Sequence, residues 1–343
     1  MGVLKELTTP VASIGVGNLA AGGTGKTPMV DYLLSMFADK YSTALVSRGY
    51  KRKSEGCVVC NHQDNEDIDI NSLLGDEAAM LYSKYPNLSV AVCKERNEAV
   101  KQLMDQDPHP QLILFDDVFQ HRYVKPTVSI LLTEYNRPYS SDHVLPFGNL
   151  REPRSSSRRA NVIIVTKSPR RLNSLERRSV AEQLKVKKYQ KIFFSYIEYG
   201  EPKALFSNES CNLENAKHIV CVTGIAHPDS LLAELKCHGR RIEHLSFSDH
   251  HNYTSDDIDR IVKTYDSINS PYKMILTTEK DAIRLKNSPN ADKLQNLPFF
   301  FLPMATAFHD ENGYGFESYI TSIVRENMSF LDRLEKSTIT NVE

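Results

Sequence analysis

The chain has 343 residues, 41% of them hydrophobic and 25% charged, with a formal net charge of −1. That length suits two domains of roughly 150 residues each. The near-neutral balance gives nucleic-acid binding no support, and no apolar run approaches the ~18 residues of a membrane span.

The first element is a strand expected over residues 11–16. Behind it comes Asn18-Leu-Ala-Ala-Gly-Gly-Thr-Gly-Lys-Thr-Pro28, and then apolar residues at helical spacing over 26–37. A strand, a glycine-rich loop and a Lys-Thr helix start together grip a polyphosphate. The expected cradle is Ala20, Ala21, Gly22, Gly23, Thr24, Gly25, Lys26 and Thr27. Its glycines let backbone N–H groups curl around phosphate oxygens. Lys26 reaches the terminal phosphates, and the Thr27 hydroxyl is placed to ligate Mg²⁺. The strict pattern wants glycine six residues before the lysine, where this chain has Ala20.

Further strands are expected over 43–47, 89–92, 112–115, 129–132 and 162–166, with helices over 76–84 and 94–104. The strands show little alternation, so both faces are buried, as in a parallel sheet covered by helices. The fold class is therefore α/β, a P-loop NTPase-like, doubly wound and mostly parallel sheet that binds ligands at its carboxyl edge. Residues 1–190 form this first domain. Residues 191–197 and 203–206 flank Gly200-Glu-Pro202 like a hairpin, which makes 191–206 the expected linker. A smaller α/β domain follows to residue 333, with strands over 219–222, 244–247, 274–277 and 299–302. Its helices are expected over 228–237, 255–265, 279–285 and 316–325, and residues 334–343 form a frayed tail.

Several polar groups fall at strand ends. Leu112-Ile-Leu-Phe-Asp116-Asp117 ends in two carboxylates, one to hold Mg²⁺ directly or through water and one to position a nucleophile. Gly75-Asp76-Glu77 opens a helix. There Asp76 is either a favourable first-turn carboxylate or a base for a substrate hydroxyl. Ser47-Arg48-Gly49-Tyr50-Lys51-Arg52 offers cations to phosphates, or is a solvated basic turn. Residues 151–191 hold thirteen Lys/Arg against three Asp/Glu, either a solvated surface or a face for an anionic partner. Ser248-Asp249-His250-His251 can support proton transfer or be surface polarity. Cys57-Val-Val-Cys60 has metal-ligand spacing without a second such pair, and reads as structural. The guanine-specific Asn-Lys-x-Asp motif is absent, which favours ATP.

Taken together, these segments resemble the tetraacyldisaccharide 4'-kinase family, the lipid A 4'-kinases of Gram-negative bacteria. The matching pieces are Val16–Pro28, Ser47-Arg-Gly-Tyr50, Gly75-Asp-Glu77, Asp116-Asp-Val-Phe-Gln-His-Arg122, Leu145-Pro-Phe-Gly-Asn-Leu-Arg-Glu-Pro153, Val165-Thr-Lys167, Phe247-Ser-Asp-His250 and Thr277-Thr-Glu-Lys-Asp-Ala282. The resemblance implies transfer of the γ-phosphate of ATP, with Mg²⁺, to the 4'-hydroxyl of an acylated glucosamine disaccharide 1-phosphate. It implies that Asp76, supported by His250, is the catalytic carboxylate, with Lys26 and Asp117 acting alongside. It assigns the metal to Thr27, Asp116 and Asp117. Substrate or nucleotide contacts would come from Asn18, Arg48, Tyr50, Gln120, His121 and Arg151. It further implies a cytoplasmic protein, peripheral on the inner membrane, although the chain starts just before its first strand and does not match the apolar N-terminal helix usual in the family. Val118 stands where the family has glycine, and strain is expected there if that position has positive φ. The alternative readings are a P-loop kinase for another sugar or small alcohol, and a nucleotide-switch or metal-insertion ATPase.

Overall fold

The computed structural model describes residues 7–50, 52–61, 69–207, 213–225, 228–236, 239–249, 251–309 and 315–340. The chain forms two units. The first comprises residues 1–196 and 306–343, and the second residues 197–305.

In chain order, the first unit contains β1 (Leu7–Thr8), β2 (Ala12–Asn18), α1 (Lys26–Phe37), β3 (Thr43–Ser47), β4 (Val58–Cys60), α2 (Ile70–Leu74), α3 (Asp76–Lys84) and β5 (Leu88–Val92). Then come α4 (Arg96–Met104), β6 (Leu112–Phe115), β7 (Val124–Lys125), β8 (Val128–Glu134), β9 (Val162–Thr166), α5 (Ser174–Leu184) and β10 (Lys191–Tyr199). The second unit contributes β11 (Lys203–Ala204), β12 (His218–Thr223), α6 (Asp229–Lys236), β13 (Arg241–Ser246), α7 (Ser255–Ser267), β14 (Lys273–Thr278), α8 (Glu279–Lys286) and β15 (Phe299–Leu302). The chain returns through β16 (Met304–Phe308) and ends in α9 (Phe316–Thr340).

The large sheet runs β16-β10-β9-β8-β2-β6-β3-β5-β4. Its inner pairs are parallel, and β4 is antiparallel to β5. From β2 the chain builds outward to β3, β5 and β4 on one side, then to β8, β9 and β10 on the other. Strand order therefore reverses at β2, the place where open α/β sheets bind ligands. All seven residues of β2 are buried, because α1 covers one face with Met29, Val30, Leu33, Leu34 and Phe37. Two glycines in β2 admit the loop after β6. A Cβ on Gly17 would lie 2.5 Å from Phe119, and one on Gly15 would lie 2.7 Å from Val118.

The boundary between the units falls within 191–206, but the hairpin reading of that segment does not hold. β10 pairs in parallel with β9 in the large sheet, whereas β11 pairs antiparallel with β15 in the small one, so the two flanks of Gly200 are not a hairpin. The Gly200 N–H instead donates to Pro303 O at 2.9 Å. The second unit also ends earlier than residue 333. Phe316, Ile320 and Val324 recur every fourth residue on α9 and bury against β2 and α1, and Phe308 stacks on Phe316 at 4.3 Å. Four-residue spacing puts these side chains on one helix face. That face completes the first core, and α9 continues to Thr340 where a frayed tail was expected.

The small sheet runs β11-β15-β14-β12-β13, with β12, β13, β14 and β15 parallel. At the carboxyl edge of this unit Asp281 is fully buried. It accepts from the Gly224 N–H at 3.0 Å and the Thr278 hydroxyl at 2.8 Å.

Candidate active site

The parallel register aligns the strand tips of the first unit. Gly15 of β2 lies opposite Phe115 of β6, and Val46 of β3 lies opposite Phe115 on its other side. The glycine-rich loop, the Asp116-Asp117 pair and the Arg48-Gly49-Tyr50 turn therefore leave the sheet at one edge.

The loop after β2 is braced from several sides. Asn18 is fully buried, and its amide donates to the Thr24 hydroxyl at 2.6 Å. The Thr166 hydroxyl donates to Thr24 O at 2.9 Å, and the Lys167 ammonium donates to Gly23 O at 2.8 Å. Lys167 also pairs with Glu134 at the tip of β8. Gly22 and Gly25 have φ of 106° and 90°, which only glycine adopts at little cost. Ala20 needs no such freedom. It bridges to Leu150 in extended backbone and packs against the Leu19 and Leu150 cluster, so an alanine is accommodated where the strict pattern has glycine.

Lys26 opens α1, and its Nζ lies 3.8 Å from Asp117 Oδ1. Arg151 grips the same carboxylate with two bonds, Nη1 to Oδ2 at 3.0 Å and Nη2 to Oδ1 at 2.7 Å, and also reaches Asn18 Oδ1. Burial pushes Asp117 up, but Arg151 and Lys26 outweigh it and hold the carboxyl below its ordinary range. Asp116 has no such partner: its Oδ1 is sealed from solvent without a hydrogen bond. Burial, then the negative charges of Glu77 and Asp117, push its pKa up to about 7. Two adjacent carboxylates are thus shifted in opposite directions.

The left-handed residue of this turn is Asp117, with φ 48°. Val118 does not have positive φ. Its side chain buries among Val46, Phe115 and Val124, and its N–H donates to Val16 O at 3.1 Å. The anticipated strain at the family's glycine position does not arise.

Asp76 is the first residue of α3 and is exposed. The helix is capped by Gly75, which has φ 82°. A Cβ there would lie 2.4 Å from Tyr50 O, so glycine lets the Arg48–Tyr50 turn close against the start of α3. The next residue, Glu77, accepts the Thr27 hydroxyl at 2.7 Å. That bond leaves the Thr27 oxygen lone pairs available to a cation. Gln120 donates to Asn18 O at 2.8 Å. His121 is half-buried, and burial followed by Arg96 lowers its pKa. Arg48 and Tyr50 are exposed at the rim.

The structure thus gathers Asp76, Asp116, Asp117, Lys26 and Thr27 around one edge. Asn18 and Arg151, expected as substrate contacts, bond here to the loop and to Asp117. His250 lies outside the described residues. Its neighbour His251 bonds to Asp257 at 2.9 Å at the start of α7. The thiols of Cys57 and Cys60 point into different clusters, that of Cys60 into the main core, so this spacing builds no metal site. Three groups were missed in the sequence. The bond from Thr27 to Glu77 follows from the α1–α3 approach. The Thr166-Lys167 brace had a signal in the matched Val165-Thr-Lys167. Buried Arg96, donating to Cys93 O, had none.

The residues present fit a nucleotide with Mg²⁺. A Cβ on Gly22 or Gly23 would meet nothing within 4 Å, so the loop faces open space. The first amides of α1 have no intrahelical partners. Asp116 offers a sealed carboxylate oxygen without a hydrogen bond, within electrostatic reach of Lys26 and of the Glu77 that holds Thr27. Among the described residues no three His, Cys, Asp or Glu cluster into a metal cage. Mg²⁺ in phosphate sites is held by one or two protein carboxylates plus phosphates and water.

Asp116 carries a pH prediction. Its ordinary pKa is 3.8 and its folded value about 7. A raised folded value stabilises fully below the unfolded one and is lost as pH rises through the folded one. The protein without nucleotide is therefore expected to lose thermal stability as pH rises from 3.8 to about 7, and the loss should level off above that. Asp116→Asn should flatten that part of the profile, as read by Tm against pH. An unchanged slope in the variant would mean that Asp116 is not the buried titrating group.

The profile of the family LpxK, tetraacyldisaccharide-1-P 4'-kinase, matches residues 1–324. The chain is 38% identical over 332 residues to the tetraacyldisaccharide 4'-kinase of Phocaeicola vulgatus, covering 95% of this chain and 89% of that protein. It is 40% identical over 311 residues to that of Flavobacterium psychrophilum, covering 90% and 85%. The crystal structure of LpxK from Aquifex aeolicus in complex with ATP superposes with a TM-score of 0.66 at 26% identity, covering 94% of this chain and 91% of that one. The chain has the P-loop kinase fold and belongs to the tetraacyldisaccharide-1-P 4'-kinase family.

Proposed function

We infer that the chain transfers the γ-phosphate of ATP to the 4'-hydroxyl of tetraacyldisaccharide 1-phosphate. The observation that carries this reading is the open glycine loop set beside the Asp116-Asp117 pair, with Asp76 at the same edge, in a chain of this family. Asp76 takes the proton of the 4'-hydroxyl as its oxygen bonds to the γ-phosphorus. The bond from that phosphorus to the β,γ-bridging oxygen breaks, and ADP leaves. Lys26 and the α1 amides oppose the charge on the phosphoryl oxygens. Arg151 fixes Asp117, so that this carboxylate stays ionised and in place. Thr27 and Asp116 would hold Mg²⁺, which neutralises charge on the β- and γ-phosphates when bound. His250 is proposed to support Asp76, and His121, Gln120, Arg48 and Tyr50 to line the substrate or nucleotide region. The acceptor is a lipid, so this reading places the reaction at a bilayer surface, on the cytoplasmic side where ATP is found.

The test is ADP release against acceptor concentration in detergent. The expected outcome is release that rises and saturates with the disaccharide 1-phosphate. Release independent of the lipid, or coupled to a soluble alcohol instead, would overturn the assignment.

A further inference from the structure

The loop between β8 and β9 presents a row of apolar side chains to solvent. Phe147 is 91% exposed, Leu145 55% and Val144 39%, with exposed Pro146 between them. Scattered exposed apolar residues are ordinary, but here they are consecutive, and the backbone beneath them is locked. Asp142 Oδ1 accepts from the His143 N–H at 2.7 Å and the Asn149 N–H at 3.0 Å. Leu150 N–H donates to His143 O, and Leu145 N–H to Leu150 O, each at 2.9 Å. A Cβ on Gly148 would lie 2.3 Å from Asp142 Oδ1, so the turn closes only around glycine. An apolar tip that could fold inward is instead held out by its own hydrogen bonds.

The base of this loop is bound to the phosphate cradle. Ala21 N–H donates to Asn149 O at 2.7 Å, and Arg151 N–H donates to Leu19 O at 2.6 Å. Just after it, Arg154 and Arg158 are exposed, with Arg154 Nε anchored on Asp142 O at 2.7 Å. Arg159, by contrast, is occupied by Glu152 and the Phe119 ring. An apolar tip with a basic shoulder is complementary to an anionic bilayer surface, with apolar side chains entering the acyl region and guanidinium groups meeting headgroup phosphates.

We propose that residues 144–147 insert into the surface of an anionic bilayer and so bring the phosphate cradle to a lipid acceptor. This rests on the lipid-kinase reading for its purpose but not for its test. Insertion of the tip costs little ordering, because the hydrogen bonds within the turn fix it in advance.

The experiment is co-sedimentation of the full chain with vesicles of phosphatidylethanolamine and phosphatidylglycerol, with ADP release in detergent measured in parallel. Neither Leu145 nor Phe147 belongs to the catalytic machinery, so Leu145→Ser/Phe147→Ser should keep detergent activity and its Tm. Its partitioning into vesicles is expected to fall by at least roughly tenfold, as burial of apolar side chains implies. Arg158→Glu should weaken binding by about fivefold at low salt, and the difference should shrink as salt screens the headgroups. Equal partitioning of wild type and the double variant would overturn the proposal. So would wild-type self-association through this loop with no vesicle binding, since a second copy would then be its occupant. Vesicle binding that depends on the loop without any phosphoryl transfer would sink the kinase reading and leave the insertion proposal standing.

Discussion

Asp76→Ala is expected to lower kcat by about 10²–10⁴-fold, the range for removing a positioned general base, while ATP affinity changes little. The reason is positional. Asp76 stands exposed at the start of α3, whereas the groups that brace the loop, namely Asn18, Thr166 and Lys167, are elsewhere. Loss of the Asp76 carboxylate leaves those three braces in place. Gly75, rather than Asp76, is the helix cap. The stability cost should stay within about 1 kcal/mol, the worth of a first-turn carboxylate on the helix dipole. Single-turnover rates and equilibrium ATP binding on the same variant separate the two effects. Turnover at the wild-type rate would place the base elsewhere.

Lys26→Ala should act differently, damaging both nucleotide affinity and the chemical step. A lysine at this point meets charge in the ground state and still more in the transition state. Removing one such stabilising group typically costs about 10²–10³ in kcat. The Lys26 ammonium lies 3.8 Å from Asp117, and Arg151 holds Asp117 independently of Lys26. The variant is thus expected to fold with near-normal stability, so loss of activity cannot be blamed on unfolding. Kinetics together with a thermal melt check this. Unchanged ATP affinity and unchanged rate would show that the glycine loop does not hold the transferred phosphate.

How much of this could be read before the structure depends on whether the signal is local. The strands over 43–47, 112–115 and 162–166 and the helices over 26–37 and 76–84 coincide with the observed elements, because each is a short apolar run or helical pattern closed by its own turn residues. The loop at Gly22–Thr27 was legible for the same reason. The destination of α9 was not, since its apolar period marks a helix face but not the core that receives it. The hairpin reading around Gly200 failed likewise. A turn flanked by two strand-like runs does not state that each run pairs with a different sheet. At the site, residue types pointed to phosphate, metal and base chemistry. They did not distinguish groups that face open space from groups that hold others in place. Asn18 and Arg151 carry the polarity of ligand contacts, yet their partners are Thr24 and Asp117, set by contacts across 6 and 34 positions of sequence. Val118 shows the converse. The positive φ belongs to Asp117 one residue earlier, and only the backbone could reveal that.

The central claim is that one phosphate moves from ATP to the 4'-hydroxyl of a lipid disaccharide. The most direct measurement incubates the chain with Mg²⁺, γ-labelled ATP and tetraacyldisaccharide 1-phosphate in detergent, then locates the label on the lipid by mass spectrometry and phosphorus NMR. The predicted result is a bisphosphorylated disaccharide with the label only at the 4' position and one ADP formed for each phosphate transferred. Label found only as free inorganic phosphate would contradict the account.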